Sequence, residues 1–201
     1  MEIICLDMEG VIVPEIWVNF AEKTGIKELR LTTRDIKDYN ELMDYRLKIL
    51  NQHGYKIKDI QDVIATLKPF DGAKEFLDWI RERTQLVILS DTFSEFAKPL
   101  MVQLGMPTLF CHELEIADDG QITDYKLRMK DHKTHATRAF QSLNFDVFAA
   151  GDSYNDTGML KQAQKGVLFR APQNVKDEFS QFKTAETYEE MKDIISTFLE
   201  R

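Results

Sequence analysis

The sequence is poor in cysteine: Cys5 and Cys111 stand alone among 201 residues. Two thiols are too few for a disulfide framework. Both lie in apolar, strand-like stretches, so they are expected to be buried free thiols in a reducing compartment. Long apolar runs are missing as well. None approaches the roughly 18 residues that a membrane-spanning helix needs. The opening Met1-Glu2-Ile3-Ile4-Cys5-Leu6-Asp7 lacks a basic segment, and its apolar run is too short for a signal peptide. A cytoplasmic location and no membrane partner are therefore expected. Positive charge is in deficit, with 26 Lys and Arg against 34 Asp and Glu, a net charge of −8. Such a surface gains no counterion release from nucleic acid, so none is expected as a partner. An anionic substrate would need a local positive site: a metal, a Lys or Arg, or helix N-termini. Internal repeats, flexible linkers and low-complexity segments are absent too.

What is present suits one globular domain with a modest insertion, with 43% hydrophobic and 30% charged residues. Ile3 to Leu6 reads as a strand buried on both faces. From about residue 13 to about 70 the apolar spacing is helical throughout. One stripe holds Ile16, Trp17, Phe20 and Ala21, a second runs from Asn40 to His53, and a third holds Ile57, Ile60, Ile64 and Leu67. The chain then alternates. A helix around Phe76 and Ile80 precedes a buried strand, Leu86 to Leu89, that ends at Ser90-Asp91-Thr92. Phe96 to Leu104 reads as a helix, in which Pro99 is expected near the first turn or at a kink. Residues from Thr108 to Leu127 read as a strand and a hairpin turning at Asp119-Gly120. Helix, strand (Val147 to Ala150), short helix, strand (Gly166 to Phe169) and a terminal helix follow. The expectation is an α/β, Rossmann-like parallel sheet flanked by helices, with a helical insertion after the first strand.

Open parallel sheets bind ligands at the carboxyl ends of their strands. Three expected strand ends carry acids or hydroxyls: Asp7-Met8-Glu9, Ser90-Asp91 and Gly151-Asp152-Ser153-Tyr154-Asn155-Asp156. At least four carboxylates would meet at one edge and repel. A hard divalent cation would relieve that, and a set of oxygen ligands favours Mg²⁺ over zinc.

The order D-x-E-G-V, a strand-ending Ser, a Lys, then G-D-S-x-N-D resembles the haloacid dehalogenase-like superfamily over residues ~3 to ~170. Within it the pattern is similar to the phosphoserine phosphatases, and D-x-E-G-V with Ser-Asp-Thr to their phosphoserine:homoserine phosphotransferase branch. The resemblance implies a core of residues 1–12 and 71–201 and a specificity cap of residues 13–70. It implies that Asp7 is the nucleophile and Glu9 the general acid–base. It implies that Asp7, Asp152 and the Glu9 carbonyl bind Mg²⁺, with Asp156 acting through water or by orienting its neighbours. Ser90, Asp91, Lys133 and Asn155 would contact the phosphate or substrate. Glu15 would take the ammonium of phosphoserine and Arg46 its carboxylate. Homoserine is implied as a possible second acceptor. Glu9 replaces a commoner Asp, and Asp91 a commoner Gly whose place it could crowd.

Plainer readings exist residue by residue. Glu15 could be a first-turn acid favoured by the helix dipole. Arg46 lies in line with Leu42 and Leu50 and could simply lay its stem on the core. Lys133 could be a solvated lysine, Asp156 a helix cap, and Ser90 a hydroxyl serving local backbone. Asp7 and Asp152 resist such readings, because each directly follows a buried run where an idle carboxylate is costly. His53, His112, His132 and His135 are all expected at the surface. Rival functions are a phosphatase or phosphomutase for another small metabolite, a phospho-accepting receiver domain, and an inactive binding module.

Overall fold

The computed structural model describes residues 1–32, 35–36 and 38–200. Its strands are β1 (Glu2–Leu6), β2 (Gln85–Phe93), β3 (Leu109–Ile116), β4 (Ile122–Lys126), β5 (Asp146–Gly151), β6 (Lys165–Phe169) and β7 (Lys183–Ala185). They form one sheet in the order β4-β3-β2-β1-β5-β6-β7. All pairs are parallel except the β3–β4 hairpin. The helices are α1 (Ile16–Thr24), α2 (Tyr39–Gln52), α3 (Ile57–Ile64), α4 (Ala73–Arg81), α5 (Ser94–Gln103), α6 (His132–Ser142), α7 (Thr157–Gln162), α8 (Gln173–Glu178) and α9 (Tyr188–Leu199). The expected α/β sheet flanked by helices is the architecture found.

The period of two along β1 divides the core. Ile4 and Leu6 face one apolar layer, with Phe76, Phe96, Phe148 and Phe198, while Ile3 and Cys5 face the other, with Val147, Met159 and Leu168. With helices on both faces, β1 in mid-sheet is buried throughout its last four residues. Among the described residues no helix is long and apolar enough to cross a membrane.

Helices α1 to α3 follow β1 and share the first apolar layer instead of standing apart. Trp17 of α1 meets Phe96 of α5 edge to face at 5.4 Å. The turn of the β3–β4 hairpin reaches the start of α3, where the Ile57 amide donates to the Gly120 carbonyl at 2.9 Å.

Three local features refine or overturn the expectations. Pro99 is the sixth residue of α5, not in its first turn. Lacking an N–H, it leaves the Glu95 carbonyl without its helical donor, and Gln61 Nε2 of α3 supplies one at 2.9 Å. Cys111 is partly exposed, whereas Cys5 is buried and free as expected. The second strand does not stop at Ser90. Leu89 pairs with Phe110 and Phe93 with His112, so four steps on β2 match two on β3. Ser90-Asp91-Thr92 is therefore a bulge inside the strand, a device that re-aims side chains.

Candidate active site

The sheet's topology gathers the acids. Asp7 follows β1, whose neighbours are β2 and β5, so the bulge of β2 and the loop after β5 flank it on either side. The Asp7 amide donates to the Ala150 carbonyl at 2.9 Å, which fixes where the strand ends. Gly10 then turns with φ of 77°. A Cβ there would lie 2.5 Å from Asp152 Oδ2, so only glycine lets this loop close on the second acid.

Lys133, in the first turn of α6, is the cation of the cluster. Its Nζ donates to Asp7 Oδ1 at 2.8 Å and to Asp156 Oδ1 at 2.7 Å, and lies 3.4 Å from Asp91 Oδ2. It is 2% exposed, which excludes the solvated-lysine reading. Burial works against its charge, but Asp156, Asp7 and Asp91 outweigh burial and hold the ammonium well above its ordinary value.

Asp156 is fully buried and spent on structure. Its Oδ2 accepts from the Asp152 and Ser153 amides at 3.0 and 3.1 Å and so shapes the loop after β5. Asp7 is pushed well above the usual carboxylate range, by burial first and then by Asp156, with Lys133 opposing and Asp152 adding to the push. Asp152 is pushed up to about 7 by burial, then by Asp156 and Glu15. Oxygens of Asp7, Asp152 and Asp156 lie within 4.8 Å of one another. One ammonium cannot balance three carboxylates, and the donors are all hard oxygens. The residues therefore fit a hard divalent cation.

The Glu9 carboxylate turns toward the helical insertion, where Oε2 accepts from the Ile16 amide at 2.8 Å. Its carboxyl is pushed up to about 8, chiefly by burial and then by Glu15, which also hydrogen-bonds it. Glu15 is the exposed residue just before α1 and makes no capping bond through its side chain. Arg46 of α2 is buried at 6% exposure, so its head is not in water. Its guanidinium lies 4.5 Å over the Trp17 ring, and one terminal nitrogen donates to the Leu31 carbonyl at 2.9 Å. Its Nε is a buried donor with no partner among the described residues. Burial lowers the guanidinium to about 10, with Tyr39, Glu9 and Glu15 opposing.

Ser90 is buried, and its Oγ accepts from the Thr92 amide at 3.2 Å. Asp91 lies within the bulge of β2. Its Oδ2 accepts from Asn155 Nδ2 at 2.8 Å and its Oδ1 meets His132 Nε2 at 3.1 Å. Asn155 is otherwise exposed, and its amide oxygen accepts from Ser153 Oγ.

The expectation of four surface histidines fails for two. His112 and His132 are 3% and 1% exposed and lie beside Asp91. Their sequence contexts are polar, and no periodicity marked them. Only the packing of β3 and α6 against the bulge of β2 buries them.

The site so built has counterparts among known proteins. Residues 1–164 match the family model described as haloacid dehalogenase-like hydrolase. The chain is 62% identical over 192 residues to a Pseudomonas aeruginosa protein named phosphoserine phosphatase ThrH, covering 96% of this chain and 94% of that one. It is 59% identical to a Pseudomonas syringae pv. tomato phosphoserine phosphatase, covering 96% of this chain and 81% of that one. Among solved structures, a phosphoserine phosphatase in apo form shares the fold with a TM-score of 0.75 at 20% identity, over 93% of this chain and 94% of that one. A substrate-bound phosphoserine phosphatase gives 0.75 at 18% identity, over 98% and 97%.

Proposed function

The chain belongs to the haloacid dehalogenase-like hydrolases, and we propose that it is a Mg²⁺-dependent phosphoserine phosphatase that carries the phosphoryl group on Asp7. The observation that carries this reading is the buried Lys133 ammonium, 2.8 Å from Asp7 and surrounded by carboxylates. An anionic nucleophile and a phosphate dianion repel each other, and a fixed, desolvated cation beside both relieves that repulsion. Asp7, Asp152 and the Glu9 carbonyl would hold Mg²⁺, which when bound keeps the carboxylates ionised and screens the phosphoryl oxygens. Asp156 would stay outside, since both its oxygens are engaged.

Each residue then has a task. Asp7 Oδ1 is tied to Lys133, which leaves Oδ2 to attack phosphorus. The phosphorus–oxygen bond to serine breaks, and the departing oxygen takes a proton from Glu9. A carboxyl held at about 8 carries that proton at neutral pH. Water, deprotonated by the Glu9 carboxylate, then attacks the phospho-Asp7 phosphorus and restores both groups. The Ser90 hydroxyl accepts from the Thr92 amide, so its own proton is free for a phosphoryl oxygen. Asn155 keeps one amide hydrogen for substrate.

Residues 13–70 serve as the cap over a core of residues 1–12 and 71–201. Within the cap, Arg46 takes the substrate carboxylate, a reading supported by its unpartnered Nε, and Glu15 takes the ammonium. The same two contacts would hold homoserine as a second acceptor.

The test is release of inorganic phosphate, with Mg²⁺, from phosphoserine, phosphothreonine, sugar phosphates and nucleotides. Phosphoserine should give the highest kcat/KM. A sugar phosphate or nucleotide preferred over it overturns the assignment.

A further inference from the structure

Asp91 poses a problem for a site that binds phosphate. It places a third carboxylate 3.4 Å from the Lys133 ammonium, where it competes with an incoming anion for the same positive charge. The surroundings of its other oxygen answer that problem. Oδ1 meets His132 Nε2 at 3.1 Å and His112 Nε2 at 3.6 Å. The two imidazoles pack against each other with centroids 4.7 Å apart.

Their proton positions follow from what lies behind them. The Arg128 amide donates to His112 Nδ1 at 3.2 Å. A terminal nitrogen of the Arg128 guanidinium lies 3.1 Å from His132 Nδ1. Amide N–H and guanidinium groups only donate, so both Nδ1 atoms must accept. A neutral ring that accepts at Nδ1 carries its hydrogen at Nε2. Both Nε2 hydrogens therefore face Asp91. Arg128 is itself braced, its guanidinium lying 4.9 Å over the Phe110 ring.

Asp91, His112 and His132 also meet the proximity expected of a metal-ligand set. Nδ1 occupancy argues against that use, because each Nε2 lone pair would have to be freed by moving the hydrogen onto a nitrogen already accepting from Arg128. Burial lowers the basicity of His132, while Asp91 works in the other direction. Asp91 is held well below the usual carboxylate range: burial opposes this, and Lys133, His112, His132 and Asn155 together overcome it. Tyr39 of α2 adds a contact on the backbone side, donating its hydroxyl to the Asp91 carbonyl at 2.9 Å.

We infer that His112 and His132 are positioning residues for phosphoryl transfer: two neutral imidazoles, set by Arg128, that hold the Asp91 carboxylate by its outer oxygen. Their N–H groups share the charge of Asp91, weaken its claim on Lys133, and leave its inner oxygen to orient Asn155. The inference deepens the phosphatase reading and rests on it, but its first test needs no turnover.

That test is nitrogen-15 NMR of the histidine rings in the full-length, metal-free protein. Resonances of His112 and His132, assigned by single His→Gln variants, should both show the neutral form with hydrogen on Nε2. Hydrogen on Nδ1, or an imidazolium, at either ring overturns the proposal. The second test is kinetic. His132→Leu should lower kcat about tenfold, the size of one hydrogen bond to a charged group, with KM for phosphoserine nearly unchanged. His132→Gln places an amide N–H where Nε2 stood and should recover most of the loss. In an Asp91→Ala background His132→Leu should cost little more. An equal loss in both backgrounds means that His132 acts only through packing, and the proposal fails. If the leucine variant does not fold, the glutamine variant and the wild-type tautomers still decide the matter. Failure of phosphoserine as a substrate would appear in the wild-type assay and leave the NMR result standing.

Discussion

Arg46→Ala separates substrate recognition from architecture. The guanidinium has three structural ties: a charged hydrogen bond to the Leu31 carbonyl, a weak bond from its other terminal nitrogen to Met43 Sδ at 3.8 Å, and a face contact with Trp17. Losing them should cost roughly 2 kcal/mol after the relief of desolvation, a fall in Tm of roughly 4 to 8 °C for a chain of this size. Nε, which has no partner among the described residues, and the second hydrogen of the terminal nitrogen that bonds Leu31 would make a side-on fork for a substrate carboxylate. Removing that fork should cost about 2 to 4 kcal/mol, or about 30- to 700-fold in kcat/KM for phosphoserine. A plain aryl phosphate has no carboxylate and should lose less than about threefold. Arg46 also pulls the Glu9 carboxyl down, so its loss raises Glu9 further. Assays at pH 7 keep Glu9 protonated in both proteins and remove that confounding effect. Arg46→Lys, which keeps charge without the fork, should fall between. Equal losses for phosphoserine and the aryl phosphate would refute the reasoning and leave Arg46 a structural residue.

Asp7→Asn should lower turnover by several orders of magnitude while the protein stays folded, because an amide is a poor nucleophile. Undiminished phosphate release from that variant, or full activity of the native chain in excess EDTA, sinks the mechanism. Glu9 at about 8 and Asp152 at about 7 both lie above their ordinary values, so the folded state binds their protons more tightly than the unfolded chain. Their contribution to the metal-free protein is complete at low pH and is lost as pH rises through about 7 to 8. Thermal melts should therefore show a Tm decline between about pH 5 and pH 8 that is shallower in Glu9→Gln, with Mg²⁺ stabilising more at the upper end; identical slopes in the two proteins would contradict the assignment. Homoserine added with phosphoserine and Mg²⁺ should yield O-phosphohomoserine by phosphorus NMR, since an oriented hydroxyl outcompetes water through proximity. Inorganic phosphate as sole product at saturating homoserine would make water the only acceptor.

Much of the fold was legible in the sequence because the signals were local. The continuous apolar run Ile3 to Leu6, the helical spacing from Ile16 to Leu67 and the Asp119-Gly120 turn each arise from side chains a few residues apart. Asp7 and Asp152 could be singled out for the same reason, each standing next to a run that burial requires. Elements with weak periodicity were not legible, such as the three-residue β7 and the six-residue α8. Contacts distant in sequence belong to the tertiary structure alone. Lys133 meets Asp7 across 126 positions, and no pattern in either segment encodes that distance. The bulge at Ser90 to Thr92 depends on how β2 pairs with β3, and Pro99 is tolerated because Gln61 of another helix reaches Glu95. The burial of His112 and His132 is of this kind too. A polar residue in a polar stretch looks solvated until the sheet closes over it, and only then do its hydrogens acquire a direction.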